Sequence, residues 1–173
     1  MVTIRHERTA DIAAREALLD AAFGEGRNRK SSQRLRDGRL PAEGLAFIAT
    51  DAGRIVGTAR LWEVACGDRP ALLLGPVAVA NDRQGQGIGA ALIARAIDAA
   101  RARGHAAIVL VGDAPYYGRF GFTAAKMSAL AMPGPFERDR LLGLELVAGG
   151  LDGACGVIAP TGRPATKSRR RAA

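Results

Sequence analysis

Short apolar runs separated by turn residues dominate the first half of the chain, and this spacing predicts strands. Strands are expected at residues 2–5, 45–50, 55–65 and 71–80. The last three follow one another through tight turns that contain Asp and Gly, which is typical of an antiparallel meander. Residues 10–23 carry apolar positions at helical spacing instead, with Thr9 as the expected N-cap and Gly24 as the expected end.

The second half begins with the strongest helical period in the chain. Residues 88 to about 103 place six apolar side chains on one face: Ile88, Leu92, Ile93, Ala96, Ile97 and Ala100. Residues 106–113 are almost continuously apolar, as in a parallel strand that is covered on both faces. Strand 71–80, this helix and strand 106–113 therefore predict one right-handed βαβ crossover. Gly75 and Pro76 interrupt the first of these strands, so a bulge or a break in pairing is expected there.

Size and composition indicate one globular domain. The chain has 173 residues, and no apolar run approaches the roughly 20 residues that span a membrane. The N-terminus lacks the apolar segment of a signal peptide, so a cytoplasmic location is expected. Two cysteines and two histidines stand far apart, so neither a disulfide framework nor a metal site is expected.

Positive charge is concentrated near the end of the chain. Five cations and no acid stand in residues 161–173, and without them the net charge falls from +8 to +3. This segment has no apolar period, so we expect a domain at 1–160 and a flexible basic tail at 161–173. The tail is either a solubilising segment or an arm for an acidic partner. A second group of cations, in and before a short polar helix expected at 31–39, either faces an anionic ligand or is solvated.

Three glycines at alternate positions precede the long helix, in the segment DRQGQGIGAAL (82–92). A helix start leaves about four backbone N–H groups unpaired, and Ser, Thr, Asp or Asn usually caps them. Residues 84–89 contain none of these four, and glycine leaves the donors open to a ligand. The positive end of the helix dipole lies at the same point, so the segment predicts an anion site that suits a pyrophosphate.

Two known nucleotide-binding motifs are alternatives for this segment, and one of them does not fit it. The P-loop pattern requires Lys followed by Ser or Thr, which is absent here. Gly85, Gly87 and Ala90 satisfy the dinucleotide pattern, with Asp113 near the position of a ribose-binding acid. Against that alternative, the preceding strand is separated from the glycines by NDRQ, and the chain offers a single βα unit.

The glycine segment and its surroundings resemble a known family. Gln84, Gly87 and Gly89 fit Q/R-x-x-G-x-G/A, the acetyl-CoA signature of the GNAT N-acetyltransferases, and YYGRFGF (116–122) resembles the Tyr-containing segment that ends in Gly-Phe. The combination with LGPVAV (74–79) is similar to the YhbS-type bacterial subgroup. The resemblance covers about residues 2–160. It implies an α/β fold with a mixed sheet, in which an antiparallel meander is followed by one parallel βαβ crossover with splayed strands.

The resemblance also implies a function, an acyltransferase that moves an acetyl group from acetyl-CoA directly to a primary amine, on a small molecule or a protein. The donor is expected to bind on ten residues: Val77, Ala78, Val79, Gln84, Gly85, Gln86, Gly87, Ile88, Gly89 and Ala90. Tyr117 matches the family's acid, which protonates the departing thiolate, unless it is only a packing residue. Glu63 is the candidate base, since it is the only acid inside the meander strands; the alternatives are a solvent-facing charge and a water chain.

Two other function classes remain open at this point. A non-catalytic module that binds CoA or a nucleotide would carry the same glycine segment, and turnover would separate it from an enzyme. A nucleic-acid-binding protein has support only from the tail, and an aromatic content of 5% offers few stacking platforms, so no nucleic-acid partner is expected. No membrane partner is expected either, and a homodimer is not excluded. Nothing in the sequence names the amine acceptor.

Overall fold

The computed structural model describes residues 1–166, and these residues form one mixed sheet with helices packed against it. The sheet contains seven strands in the order β1-β2-β3-β4-β5-β7, with β9 pairing to β3. They are β1 Thr3–His6, β2 Ala46–Asp51, β3 Arg54–Cys66, β4 Arg69–Val79, β5 Ala107–Val111, β7 Leu141–Glu145 and β9 Ala159–Pro160. A separate pair joins β6 Leu130–Ala131 to β8 Gly156–Val157.

The predicted meander and crossover are both confirmed. Strands β2, β3 and β4 pair antiparallel in succession, and β4 pairs parallel with β5 through the helix between them. That helix is α2, Ile88–Ala102, and its six predicted apolar residues are all buried. Gly57 on β3 lets α2 approach closely, because a Cβ atom there would lie only 2.8 Å from Leu92 Cδ1.

The core has one apolar cluster on each face of the sheet. Alternate residues of β4 and β5 divide between them: Leu72 and Ile108 belong to the cluster under α2, while Leu73 and Val109 belong to the other. Because the strand is buried on both faces, the sequence of residues 106–113 is almost continuously apolar. The second cluster is closed by the loops that follow β5, through residues such as Met127 and Leu151.

Helix α1, Ile12–Phe23, differs from its predicted start. A 3-10 turn at Thr9–Asp11 precedes it, and Thr9 does not cap it, so that expectation is wrong. The Asp11 carboxylate accepts a hydrogen bond from the Arg8 backbone N–H at 2.7 Å and pairs with Arg5. This contact starts the turn at Arg8, one residue before Thr9, so Thr9 lies inside the turn and not ahead of the helix.

The segment between α1 and β2 forms two 3-10 helices, Glu25–Arg29 and Ser31–Leu35, where a polar helix was expected over 31–39. Leu35 anchors this segment in the second core cluster. At the other end of the chain, the backbone of 161–165 hydrogen-bonds to Gly38, Leu40 and Glu63. The division into a domain at 1–160 and a tail stays a prediction, and the cations from Lys167 onward lie outside the described residues.

Candidate active site

Strands β4 and β5 separate part-way along their length. Their parallel ladder is limited to Leu72–Ile108 and Leu73–Val109, whereas β4 continues to pair with β3 as far as Val79. The β5-facing edge of β4 after Leu73 therefore has no partner strand among residues 1–166. This gap is the feature that the expected splayed strands require.

A cavity of about 300 Å³ occupies the gap. One wall is the free stretch of β4 from Leu73 to Val77, and the opposite wall is Val111, Gly112, Asp113 and Tyr117. The remaining lining comes from the segment after α1 and from Arg140. The lining combines apolar strand residues with several charged side chains in about equal measure, and a concave pocket with convergent polar groups is a candidate small-molecule site.

The predicted bulge in β4 is confirmed and forms part of the cavity wall. Residues Ala59 and Leu61 of β3 pair with Val77 and Leu74, so Gly75 and Pro76 together stand opposite one residue of β3. The buried Trp62 side chain donates from Nε1 to the Gly75 carbonyl at 2.6 Å. This bond satisfies a carbonyl that the ladder no longer pairs and fixes how the bulge is oriented.

Tyr117 lines the cavity from the short helix α3, Ala114–Gly118. The Asp113 carboxylate caps this helix by accepting a hydrogen bond from the Tyr116 backbone N–H at 3.0 Å. Residue 112 must be glycine for the ring to lie here, because a Cβ atom would be 2.4 Å from Tyr117 Cε2. Burial raises the pKa of Tyr117 above its ordinary value of 10, so its hydroxyl keeps its proton at neutral pH.

Tyr116 has a different environment although it is adjacent in sequence. Its hydroxyl would lie 3.5 Å from a Cβ atom on Gly89, at the first turn of α2, and it does not line the cavity. The Arg119 guanidinium stacks over its ring at 4.3 Å. The structure therefore separates the two tyrosines, one at the cavity and one at the helix start.

The start of α2 is open in the way that the glycine segment predicts. Gly87 occupies the N-cap position in the left-handed region, with φ of 79°, and no side chain caps the helix. Gly85 also has positive φ, and at both glycines a Cβ atom would meet nothing within 4 Å. Gln84 to Gly87 are exposed, whereas Ile88 is buried, so Ile88 can offer only its backbone N–H.

Two ion pairs attach the loop before these glycines to the turn between β2 and β3. Arg83 pairs with Asp51 at 2.6 Å, and Asp82 pairs with Arg54 at 2.7 Å. Arg54 lowers the pKa of Asp82 to about 2, so its carboxylate stays ionised and paired. The Arg54–Asp82 pair is exposed and the Arg83–Asp51 pair is partly exposed. Surface pairs add little to stability, so we ascribe to them the position of the loop and not the folding of the domain.

Glu63 does not lie with Tyr117. It lines a separate pocket with Pro70, Gly104 and His105, beyond the C-terminal end of α2. The physical reason is its position along the strand: Glu63 pairs with Leu72, where β4 is still paired with β5, whereas the gap opens only after Leu73. This placement leaves Glu63 without a geometric basis as a base in the cavity.

Four cationic residues that line the cavity were not among the site residues expected from the sequence. They are Arg27, Lys30, Arg36 and Arg140. The first three belong to the basic segment for which a solvated surface and an anionic ligand were both open. Only the folded chain brings that segment against the gap between β4 and β5.

No cluster of three or more His, Cys, Asp and Glu side chains within 1–166 is arranged to hold a metal ion. None of the helices in that part of the chain has the length and apolar character needed to cross a membrane.

Comparison with known proteins relates this fold and cavity to one family. The family model described as Acetyltransferase (GNAT) domain matches residues 42–124. The N-acetyltransferase YhbS of Escherichia coli K12 is 30% identical over 159 residues, which cover 90% of this chain and 93% of that protein.

Two solved structures are similar over nearly the whole chain. The crystal structure of Escherichia coli YhbS in complex with CoA has a TM-score of 0.78 at 29% identity, covering 92% of this chain and 89% of that one. A GNAT family acetyltransferase from Brucella melitensis in complex with acetyl-CoA has a TM-score of 0.71 at 28% identity, covering 93% and 96%.

Proposed function

The chain belongs to the GNAT family of N-acetyltransferases, and we propose that it transfers an acetyl group from acetyl-CoA directly to a primary amine, with Tyr117 as the general acid. Acetyl transfer from acetyl-CoA follows from the family. The direct route and the residue roles are the proposal. One observation supports them above the others: Tyr117 and the free edge of β4 face each other across one cavity.

The donor fits the groups that the fold leaves open. The uncapped N–H groups at the start of α2 and the open space at Gly85 and Gly87 suit a pyrophosphate. The β5-facing edge of β4 is unpaired around Val77, Ala78 and Val79, and it offers hydrogen bonds to the pantetheine arm, which would enter the cavity beside it. A backbone N–H aimed at the thioester carbonyl would polarise it toward attack.

Tyr117 supplies the proton that the reaction needs at the leaving sulfur. When the amine nitrogen bonds to the acetyl carbon and the carbon–sulfur bond breaks, the electron pair stays on sulfur as a thiolate. A phenol that is protonated at neutral pH can donate to that sulfur, and the burial of Tyr117 keeps it protonated. No carboxylate other than that of Asp113 lines the cavity within residues 1–166, and Asp113 already caps α3.

The test is a comparison of Tyr117→Phe with Tyr116→Phe. Both changes remove one hydroxyl and keep the ring, so packing is disturbed equally. We expect Tyr117→Phe to lower kcat by about 10²-fold, the usual scale for losing a general acid, with acetyl-CoA affinity unchanged. Tyr116→Phe should leave kcat within a few-fold. Acceptors are first found by screening amines, peptides and aminoglycosides for released thiol.

Equal kcat values for Tyr117→Phe and wild type, with chemistry shown to limit the rate, would remove the acid role. A chain that binds acetyl-CoA but releases no thiol with any amine would favour the alternative, a non-catalytic CoA-binding module. A cytoplasmic location, a homodimer and the absence of a nucleic-acid partner stay predictions.

A further inference from the structure

The cavity carries an excess of positive charge on the side away from α2. Its charged lining consists of four cations and the single carboxylate of Asp113, which is engaged as a helix cap. None of the glycine-segment residues 84–90 lines the cavity. The cations therefore do not belong to the proposed pyrophosphate site, and their charge has to be explained by something else that enters the cavity.

Arg36 is the most informative of these cations. Its Nε and Nη2 atoms donate to Gln33 Oε1 at 3.3 and 3.0 Å, while Nη1 points to the bulge and would lie 3.5 Å from a Cβ atom on Gly75. Within residues 1–166, no carboxylate lies within 4.0 Å of this guanidinium, and Nη1 has no hydrogen-bond acceptor. A half-buried guanidinium in this state has an unfilled place for an anion.

Burial, opposed by Asp37 and reinforced by the nearby Arg27 and Arg60, lowers the pKa of Arg36 to about 10. The side chain is still charged at neutral pH. An anion that enters the cavity would supply the charged partner that the described chain does not give this guanidinium.

The other cations differ in how well they are neutralised. Arg27 is paired with Glu16 and Asp20, whereas Lys30 lies over the Phe23 ring at 4.9 Å and has no carboxylate partner in the described chain. Arg140 is 4.0 Å from Glu137, the limit of an ion pair. Lys30 and Arg140 thus supplement Arg36.

The direction of entry is indicated by a second hollow. A groove of about 440 Å³ shares Lys30, Ser32, Val111 and Arg140 with the cavity and continues past Pro135, Phe136 and Glu137, whose exposed carboxylate is the one acid among its lining residues. A molecule that approaches through this groove passes Lys30 and Arg140 before it reaches Arg36 and Tyr117. This is the free side of the cavity for a second substrate, since α2 and its open start lie elsewhere.

We infer that the acceptor is an amine that carries a carboxylate or phosphate group close to its nitrogen, and that Arg36 binds this anion. The inference rests on the proposed function and specifies its acceptor. Arg36 holds the anion through Nη1, and Lys30 and Arg140 line its path. A carboxylate and a phosphate share the required chemistry, a charged oxygen that accepts from guanidinium.

The same arrangement explains how the amine loses its proton without a nearby base. An alkylammonium ion placed among cations is disfavoured relative to the neutral amine, so its pKa falls. This proton leaves to solvent, and the neutral nitrogen can attack the acetyl carbon. As the carbon–sulfur bond breaks, the nitrogen loses a second proton to solvent, which balances the proton that Tyr117 gives to sulfur and later regains. A polyamine that carries no anion could not pair with Arg36, so the cations of the cavity would repel it.

The experiment measures binding and turnover with two matched pairs of probes, glycine against glycinamide and O-phosphoethanolamine against ethanolamine, with spermidine as a purely cationic amine. Binding is measured by calorimetry with saturating CoA, and turnover by thiol release from acetyl-CoA. The proteins are wild type, Arg36→Met, Arg36→Lys and the control Arg101→Met, which removes an exposed cation of α2.

We expect the wild type to bind the anionic member of at least one pair about 10-fold more tightly or better, the scale of a hydrogen bond between charged groups. Arg36→Met should reduce that preference to two-fold or less, with acetyl-CoA affinity unchanged. Arg36→Lys should retain part of it, and Arg101→Met all of it. The pair that shows the preference tells a carboxylate from a phosphate.

Equal binding of the members of both pairs, or tighter binding of spermidine, would overturn the inference. So would an Arg36→Met protein that keeps the preference, or one that loses acetyl-CoA affinity instead, because Arg36 would then serve the donor. A clear preference in binding without thiol release from any probe would leave the anion site standing and count against direct transfer.

Discussion

Replacing Gly112 by alanine tests whether the position of the Tyr117 ring controls the reaction. The added Cβ atom would lie 2.4 Å from Tyr117 Cε2 and 2.9 Å from Cδ2, where ordinary contact begins at 3.4 Å. The ring must therefore retreat by about 1 Å. It cannot do so freely, because Phe122 and Tyr116 pack against it with ring centroids 5.9 and 5.1 Å away.

The magnitude follows from that displacement. A misplacement of about 1 Å in a catalytic group costs on the order of 10²-fold in rate, so Gly112→Ala should lower kcat by about that factor. The crowding itself should reduce the free energy of unfolding by about 1–3 kcal/mol. Acetyl-CoA affinity should change little, because the start of α2 is not involved.

The assay combines steady-state thiol release, calorimetry with acetyl-CoA and thermal unfolding. Gly118→Ala is the matched control, since a Cβ atom there would meet nothing within 4 Å. The double variant Gly112→Ala with Tyr117→Phe gives a more specific comparison. In a protein that already lacks the Tyr117 hydroxyl, Gly112→Ala should lower kcat little further. A folded Gly112→Ala protein with wild-type kcat would refute the positional argument. If Gly112→Ala lowers kcat in the Tyr117→Phe protein by the same factor as in the wild type, its effect does not depend on the Tyr117 hydroxyl.

Three further predictions concern the donor site, the bulge and the tail. Gly87→Asp should abolish acetyl-CoA binding in calorimetry, because it places a negative charge at the open helix start and forces a side chain into positive φ. If the wild type binds NAD tightly and does not bind acetyl-CoA, the assignment of the donor site is wrong. Trp62→Phe should reduce the free energy of unfolding by about 1–3 kcal/mol, since it leaves the Gly75 carbonyl without its donor, and it should raise the KM for acetyl-CoA; an unchanged KM would separate the bulge from donor binding. Truncation after Thr166 should leave unfolding temperature and acetyl-CoA affinity unchanged, and a large loss of either would place the basic tail in the domain or in the site.

Periodicity along the chain was enough to predict the elements that bury apolar surface. The helix at 88–102, the three-strand meander and the covered strand at 107–111 all follow from local patterns, because a helix face or a strand buried on both sides repeats within a few residues. The open helix start could be predicted for the same reason. Capping is a local property, and the absence of a capping side chain between Gln84 and Gly89 is visible in the sequence.

Tertiary structure alone decided which side chains share the cavity. Glu63 and Tyr117 both look suitable in sequence, but Glu63 lies on β3 where β4 and β5 are still paired, near the far end of α2, while α3 brings Tyr117 to the gap. Arg36 lies in a polar segment with no strong period, and it reaches the bulge only because Leu35 anchors that segment in the core. The sequence by itself determined the elements and the anion-binding helix start, since both depend on neighbours within a few residues. The composition of the cavity depends on contacts between residues far apart in sequence, such as Arg36 with Gly75, and these exist only in the folded chain.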